Sequence, residues 1–496
     1  LSILERCHIV LVGDRNDALD CQNVKSLMRS EALDLSGQTN LRELAALLKN
    51  ASLVITNDSF PLHLADALGA PVLALFGPTD PRKYGPRLVS ASRVARRVLF
   101  CSPCEKAQCR YGHECMNELG VDETYHDAVR ILREDAHPKK LRILVSRLDR
   151  LGDVALSLPA TAAIRERYPE AFIAMMVRPS IRELVEPCPW IDEVIGYDYG
   201  RGGRHQGFIG AIRFIREIRK RRFDAAFILH PSNRAHIVPF LSDIPYRVGL
   251  DSNLAFLLTK RVPDRRREGS KHESEYCLDV IRSFGIDGKS GHDLRIPLVP
   301  EAQRSVAATL QEQGLRDSDK LVAIHPGASC PSKRWPRERF AELARRILSE
   351  TSYRIVVVGG TEEKHLGRYL WDQAGGEVID LSGRLSVKQL AALLARCQVL
   401  VSNDSGPVHV AAAVGTPTLA LFGRNEPGLA RRRWKAMGGG HQTIHKDVGC
   451  VVCLAHACTI DFECLKAIDV EEVFNDLTKM LERGGLKQNE KILLPN

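Results

Sequence analysis

The heptapeptide Asn403-Asp404-Ser405-Gly406-Pro407-Val408-His409 decides how this chain is read. Its pattern already occurs 346 residues earlier, as Asn57-Asp58-Ser59-Phe60-Pro61-Leu62-His63. The offset holds around it. Leu33-Asp34-Leu35-Ser36-Gly37 returns as Ile379-Asp380-Leu381-Ser382-Gly383, and Leu44-Ala45-Ala46-Leu47-Leu48 as Leu390-Ala391-Ala392-Leu393-Leu394. Phe76-Gly77 returns as Phe422-Gly423. A repeat of this length predicts two homologous domains, not a solenoid, whose period is roughly 20–50 residues. The run Ile9-Val10-Leu11-Val12-Gly13 matches Ile355-Val356-Val357-Val358-Gly359, and what precedes the later run, back to about Leu141, has no counterpart at the front. The first copy is therefore expected to be partial.

Short apolar runs alternate with helical patterns through the rest of the chain. Leu141–Val145, Ala171–Val177 and Ala225–Leu229 read as strands, as do Leu321–Ile324, Arg354–Val358, Val399–Val401 and Thr418–Leu421. Such runs, rich in Val, Ile and Leu, are those of parallel strands buried on both faces. Helices between them make βαβ units, so the fold class is α/β with doubly wound, Rossmann-like domains. The polar stretch Glu134–Lys140, with Pro138, reads as a linker. The expected division is residues 1–137, a partial domain; 138–305 and 306–483, two complete domains; and 484–496, a flexible tail. Tandem sheets of this type place a ligand cleft beyond the carboxyl ends of their strands.

Composition narrows the function classes. The 496 residues are 44% hydrophobic and 26% charged, as in an ordinary soluble globular chain, with no apolar run near the ~20 residues of a membrane span. A net charge of +9 suits acidic partners such as phosphorylated substrates or anionic lipid. Aromatic residues make up only 6%, and no helix-turn-helix, RNA-recognition or zinc-finger pattern is present, which disfavours nucleic acid. No G-x-G-x-x-G fingerprint is present, which disfavours a dinucleotide-dependent oxidoreductase.

Four loops could carry chemistry. Ser402–Pro407 follows a strand and opens a helix, and free N–H groups there favour a phosphate. Gly406 allows close approach of the backbone, Asp404 can accept hydrogen bonds from hydroxyls, and Asp404 and Ser405 could equally cap the helix. His409 lies one turn in. The loop His325–Pro336 offers small residues, Gly327 and Ala328 among them, and then Lys333 and Arg334, a composition suited to a diphosphate. Gly359-Gly360-Thr361-Glu362-Glu363 supplies an acidic residue for a ribose hydroxyl, Glu363 in preference to Glu362. In Ser146–Val154, Asp153 is placed on a strand-to-helix loop, where a carboxylate could serve as general base or as a cap.

Taken in order, G-D-V after the first strand, H-P-G-A…K-R-W-P, V-G-G-x-x-E and N-D-S-G-P-x-H-x-A-A-A-x-G-x-P resemble the glycosyltransferase family 9 heptosyltransferases over about Leu141 to Arg483. The resemblance implies a GT-B architecture, with acceptor on the first Rossmann-like domain and sugar nucleotide on the second. It implies inverting, metal-independent transfer of heptose from ADP-heptose, with no cofactor required, to a phosphorylated glycolipid, the lipopolysaccharide core on lipid A. By the same resemblance Asp153 matches the catalytic base, Lys333 the donor-phosphate lysine and Glu363 the adenosine-ribose carboxylate. Asp404 matches the aspartate beside the transferred sugar, and Ser405 and Gly406 the phosphate-binding turn. Phe60 stands where Gly406 does, and the first copy lacks G-D-V and K-R-W-P. Residues 1–137 are accordingly expected to be inactive as they stand. Rival readings keep the chemistry on another glycolipid or a protein acceptor, or make the chain a non-catalytic sugar-nucleotide-binding scaffold.

Two further features remain. Cys101, Cys104, Cys109 and Cys115 share the spacing C-x2-C-x4-C-x5-C with Cys450, Cys453, Cys458 and Cys464. Both clusters could hold zinc or iron, or be packed thiols, or form disulfides in an oxidising compartment. Arg201–Arg222 interleaves eight cations with Phe208, Ile209, Ile212, Phe214, Ile215 and Ile218. That pattern fits either a basic amphipathic helix able to lie on anionic lipid or receive a phosphorylated glycolipid, or a helix packed on the sheet with a solvated basic face; the family resemblance implies work on the inner face of the cytoplasmic membrane.

Overall fold

The computed structural model describes residues 7–491 apart from 29, 90–91, 107, 135–140, 253, 288–295 and 451. It separates into two compact units, Leu1–Lys140 and Leu141–Asn496.

The second unit holds two six-stranded, wholly parallel sheets. In chain order the first sheet comprises β6 (Arg142–Ser146), β7 (Phe172–Val177), β8 (Glu193–Gly196), β9 (Ala225–Ile228), β10 (Tyr246–Leu250) and β11 (Lys260–Val262). The second comprises β12 (Leu321–His325), β13 (Arg354–Val357), β14 (Ile379–Asp380), β15 (Val399–Asn403), β16 (Thr418–Leu421) and β17 (Gln442–Ile444). Spatially they run β11-β10-β9-β6-β7-β8 and β14-β13-β12-β15-β16-β17. Each is the order 3-2-1-4-5-6, so the direction of winding reverses at β6 in one sheet and at β12 in the other. A ligand crevice opens at such a reversal. The segment leaving β6 leads to Asp153, and the loop leaving β12 leads to Lys333.

The central strands are buried on both faces, as their unbroken apolar runs predict; β9, β12 and β15 have no exposed residue. The edge strands β8, β11 and β17 are short and partly polar, which is why no continuous apolar run announces them. One apolar cluster runs from Ile143 and Val154 on the first sheet side to Val356 and Val410 on the second, so the two halves share a core at the cleft base. The helix Leu151–Arg167 begins earlier than its sequence suggests, and Asp153 lies in its first turn, not on a preceding loop. The helix Val470–Lys491 runs into the segment read as a tail from residue 484; residues 492–496 lie outside the described part.

The first unit contains β1 (Ile9–Leu11) paired with β2 (Ala32–Asp34), and a separate sheet of β3 (Val54–Asn57), β4 (Val72–Phe76) and β5 (Arg93–Arg96), all parallel. Among the described residues no strand joins β1 to β3.

Candidate active site

A cleft of about 880 Å³ lies between the carboxyl ends of the two sheets of the second unit. Asp153, Ala328, Lys333, Glu363, Asp404, Ser405, Gly406 and His409 all line it. Gly327 borders it through Glu363: a Cβ at position 327 would stand 1.9 Å from Glu363 Oε1, so a side chain there would displace that carboxylate.

On the β12–β17 side, Asp404 follows β15 and is 4% exposed. Its Oδ2 takes Lys333 Nζ at 3.0 Å and Arg424 Nη2 at 3.0 Å. Two cations on one carboxylate oxygen leave a net positive charge, which faces the amino terminus of helix Gly406–Ala413. An anionic diphosphate would meet positive potential from all three. Asn403, next to Asp404, does scaffold work: its Oδ1 accepts from Trp335 N at 3.0 Å and its Nδ2 donates to Pro326 O at 2.8 Å. Those bonds tie the Lys333 loop to β15.

Glu363 hydrogen-bonds His325 Nε2 at 3.1 Å and accepts from Gly360 N at 2.8 Å. Burial pushes its carboxyl up, but His325, the Gly360 N–H and Arg334 outweigh that and hold it at about 2. His325 Nδ1 in turn lies 2.9 Å from Ser405 Oγ, which links the Glu363 loop to the turn that opens helix Gly406–Ala413.

On the β6–β11 side, Asp153 Oδ2 accepts from Arg150 N at 3.3 Å, so Asp153 does cap its helix. Its Oδ1 lies 3.4 Å from Arg147 Nη2. Burial, and then the charge of Asp149, push the Asp153 carboxyl up to about 6 despite Arg147. Asp149 is lowered instead: Arg147 and His230 overcome its burial. Arg147 Nε reaches Asp149 Oδ1 at 2.8 Å, and His230 Nδ1 reaches Asp149 Oδ2 at 3.1 Å. Two neighbouring carboxylates driven apart in this way are the usual mark of divided labour, one held ionised and the other able to take up a proton near neutrality.

The two sides touch at the floor. A Cβ on Gly152 would stand 2.6 Å from His409 Cδ2, and one on Gly406 would meet Leu151 Cβ at 3.4 Å. Close approach at 406 is thus toward the opposite helix as well as toward the cleft. His409 is 4% exposed and burial lowers it to about 3; its Nδ1 has no hydrogen-bond partner among the described residues. Arg150 Nη1 crosses the cleft mouth to Ser329 Oγ at 2.7 Å.

The family model for glycosyltransferase family 9 (heptosyltransferase) matches residues 3–114 and 211–462, most of the chain. This chain belongs to glycosyltransferase family 9. It is homologous to lipopolysaccharide heptosyltransferase 2 of Escherichia coli K12, at 30% identity over 297 residues, 58% of this chain and 84% of that protein. The crystal structure of a family 9 glycosyl transferase from Veillonella parvula superposes with a TM-score of 0.62 at 26% identity, over 69% of this chain and 98% of the other. The structure of E. coli ADP-heptose lps heptosyltransferase II shares the fold, with a TM-score of 0.57 at 24% identity over 69% and 99% of the two chains. The α/β fold of the second unit is thus GT-B-like, and the chain is a glycosyltransferase.

The cysteines take a supporting place. The eight cysteines of the two clusters are free thiols, and among the described residues no group of three or more His, Cys, Asp or Glu side chains is arranged to hold a metal ion. Cys450, Cys453, Cys458 and Cys464 line a cavity of about 270 Å³ beside Ser332 and Arg424. Cys464 Sγ donates to Gly423 O at 2.9 Å, and Ser332 Oγ lies 3.2 Å from His456 Nδ1. This loop therefore braces the segments that carry Lys333 and Arg424. Cys101, Cys104, Cys109 and Cys115 line a separate cavity of about 440 Å³ in the first unit.

Proposed function

We propose that this chain transfers heptose from ADP-heptose to a hydroxyl of the lipopolysaccharide inner core by a single inverting displacement. The observation that carries the reading is the facing arrangement of Asp153 and the Lys333–Asp404–Arg424 group across one cleft. The acceptor oxygen attacks the anomeric carbon as its proton passes to the Asp153 carboxylate. The bond from that carbon to the diphosphate breaks, and its electron pair leaves on ADP. Lys333, Arg424 and the amino terminus of helix Gly406–Ala413 stabilise the growing charge. Glu363 holds the ribose, and Asp404 lies beside the transferred sugar. The test is ADP release from ADP-heptose with a lipopolysaccharide-core acceptor. Asp153→Asn should abolish it with ADP binding retained; unchanged turnover would sink the mechanism. Parallel assays with GDP- and UDP-sugars check the donor.

In this reading residues 1–137 are a partial donor-type domain preceding an acceptor domain, 138–305, and a donor domain, 306–483. The 346-residue offset supports it, and so does the strand order. If β2-β1 and β3-β4-β5 are set beside β14-β13-β12-β15-β16-β17, the position unfilled among the described residues of the first unit is that of β12. The same reading places the chain at the inner face of the cytoplasmic membrane. Helix Gly207–Lys220 buries Gly210, Phe214 and Ile218 but leaves Phe208 and Ile209 exposed beside Arg213 and Arg216. Binding to anionic vesicles that weakens in a Phe208→Ala/Ile209→Ala variant would support that placement, and binding that is equal in both would refute it.

A further inference from the structure

Behind Asp153 lies a buried chain of charges that crosses from one sheet side to the other. Arg147, 1% exposed, donates from Nη2 to Glu273 Oε1 at 2.8 Å, and from Nη1 to Leu229 O at 2.8 Å. Glu273 opens the helix Glu273–Arg282 on the β6–β11 side and is also 1% exposed. Its other oxygen, Oε2, accepts from Arg433 Nε at 2.8 Å and Nη2 at 2.6 Å. Arg433 belongs to the other side, on the turn Arg431–Trp434 that follows β16, where its Nη1 also donates to Gly428 O at 2.8 Å. A carboxylate this deeply buried is sustained by paired charges.

We infer that Glu273 and Arg433 form a brace between the two halves of the enzyme that acts through Arg147 to set the basicity of Asp153. The inference rests on Asp153 being the base. Glu273 draws one Arg147 nitrogen, Nη2, that also lies within reach of Asp153. It thereby competes for the cation that would otherwise weaken the base, and adds a negative charge nearby. Arg433 offsets part of that charge from across the cleft. Glu273 and Arg433 are positioning residues, since neither needs to touch the reacting atoms.

The other groups around the pair are accounted for. On its own segment Asp153 faces Arg147, Asp149 and the Arg150 N–H, and His230 reaches it only through Asp149. Glu273 faces Arg147, Arg433 and Arg266, with His272 beside it in the chain. The buried thiol of Cys277, 3.3 Å from Arg147 Nη1, is pushed to about 12 and stays neutral. From the opposite side, His409 is likewise held neutral.

The competition predicts opposite effects from the two halves of one ion pair. Glu273→Gln removes a negative neighbour and releases Arg147 toward Asp153. The acidic limb of the kcat/KM profile for ADP release should move down, by roughly 1 pH unit, the low end of what one nearby charge does. Arg433→Gln leaves Glu273 less compensated, so the limb should move up; Arg433→Lys, which keeps the charge, should restore it. A brace that was merely structural would lower activity at every pH without moving the limb. An unmoved limb, or both variants moving it the same way, overturns the inference. Should Glu273→Gln fail to fold, as judged by near-UV circular dichroism, the Arg433→Gln and Arg433→Lys pair carries the test alone. An Asp153→Asn variant that retained the limb would instead remove the base assignment on which the inference stands.

Discussion

Asn57–His63 and Asn403–His409 share five residue types in the same order, and their surroundings differ almost completely. Asn403 and Asp404 are buried; Asn57 is exposed and Asp58 half-buried. His409 is buried against Gly152, whereas His63 is exposed. The flanking strands differ in the same direction. Val10 and Ile55 are 41% and 44% exposed, while Val356 and Val401, at the corresponding positions, are 0%. What separates the two is β12. It lies between β13 and β15, covers their edges, and delivers His325 and the Lys333 loop to Asp404. Among the described residues nothing takes that place between β1 and β3. The comparison teaches that the motif by itself is only a strand-to-helix turn; the site is made by the strand beside it and the sheet across from it.

The strongest way to break this comparison is to give the second segment the residue of the first. A Cβ at 406 would fit in ordinary contact, but a phenyl ring must enter either the helix Leu151–Arg167 or the cleft. Gly406→Phe should cut kcat/KM for ADP release by at least ~100-fold, beyond the loss of one good transition-state donor, with Gly406→Ala far milder. Near-normal turnover in Gly406→Phe would show that Phe60 is no obstacle in the first segment either.

Next in size is the cation pair on Asp404. Arg424 follows the repeated Phe-Gly, and at the matching position of the first segment stands Pro78. Arg424→Ala and Lys333→Ala should each weaken ADP binding by about 10- to 100-fold, the range of one lost charge-assisted contact. Calorimetric titration with ADP checks this. An unchanged affinity in either variant would mean that the Asp404 pair is structural.

Much of this was legible in the sequence, for a reason that also explains what was not. Asp153, Lys333, Glu363 and Asp404 each stand within a few residues of the carboxyl end of a buried strand, Asp153 in the first turn of the helix that follows, where chain order and topology coincide. Arg424 had a signal, the contrast between Phe-Gly-Arg and Phe-Gly-Pro, visible only when the repeats are read against each other. Glu273 and Arg433 had none. Glu273 stands 126 residues from Arg147, Arg433 stands 160 from Glu273, and nothing in His272-Glu273-Ser274-Glu275 marks one of its two carboxylates as buried. Arg147 stands in Ser146–Val154, but its partners come from three separate elements, so no local pattern marks its role.

A smaller effect separates a functional cost from a structural one. The folded Asp153 carboxyl lies above its unfolded value, so the folded protein carries a penalty at pH above about 6 that is absent below about 4. Asp153→Asn keeps a capping oxygen and removes the charge. It should raise the melting temperature at pH 8 by an amount worth about 1–2 kcal/mol, below the ceiling of ~3 that two pKa units allow, and the gain should vanish near pH 4. A variant destabilised at pH 8 would mean that Arg147 needs the Asp153 charge more than burial opposes it.

The smallest expected effect is also the one that tests the comparison as a whole. If burial beneath β12 and an opposing sheet make the site, substitutions in Asn57–His63 should do nothing to catalysis. Asp58→Ala and Phe60→Gly should leave ADP release within about 2-fold of the parent, the scatter expected for surface changes, while Asp404→Ala should not. Titration of the full chain should then return one ADP per polypeptide. Two would require the first segment to bind nucleotide without a Lys333, an Arg424 or a facing Asp153. In that event the turn alone would supply most of the donor affinity, and the cations across β12 would serve the leaving charge and not the bound nucleotide. The stoichiometry therefore decides whether the repeated motif is a binding site in its own right or one wall of a site that needs two more.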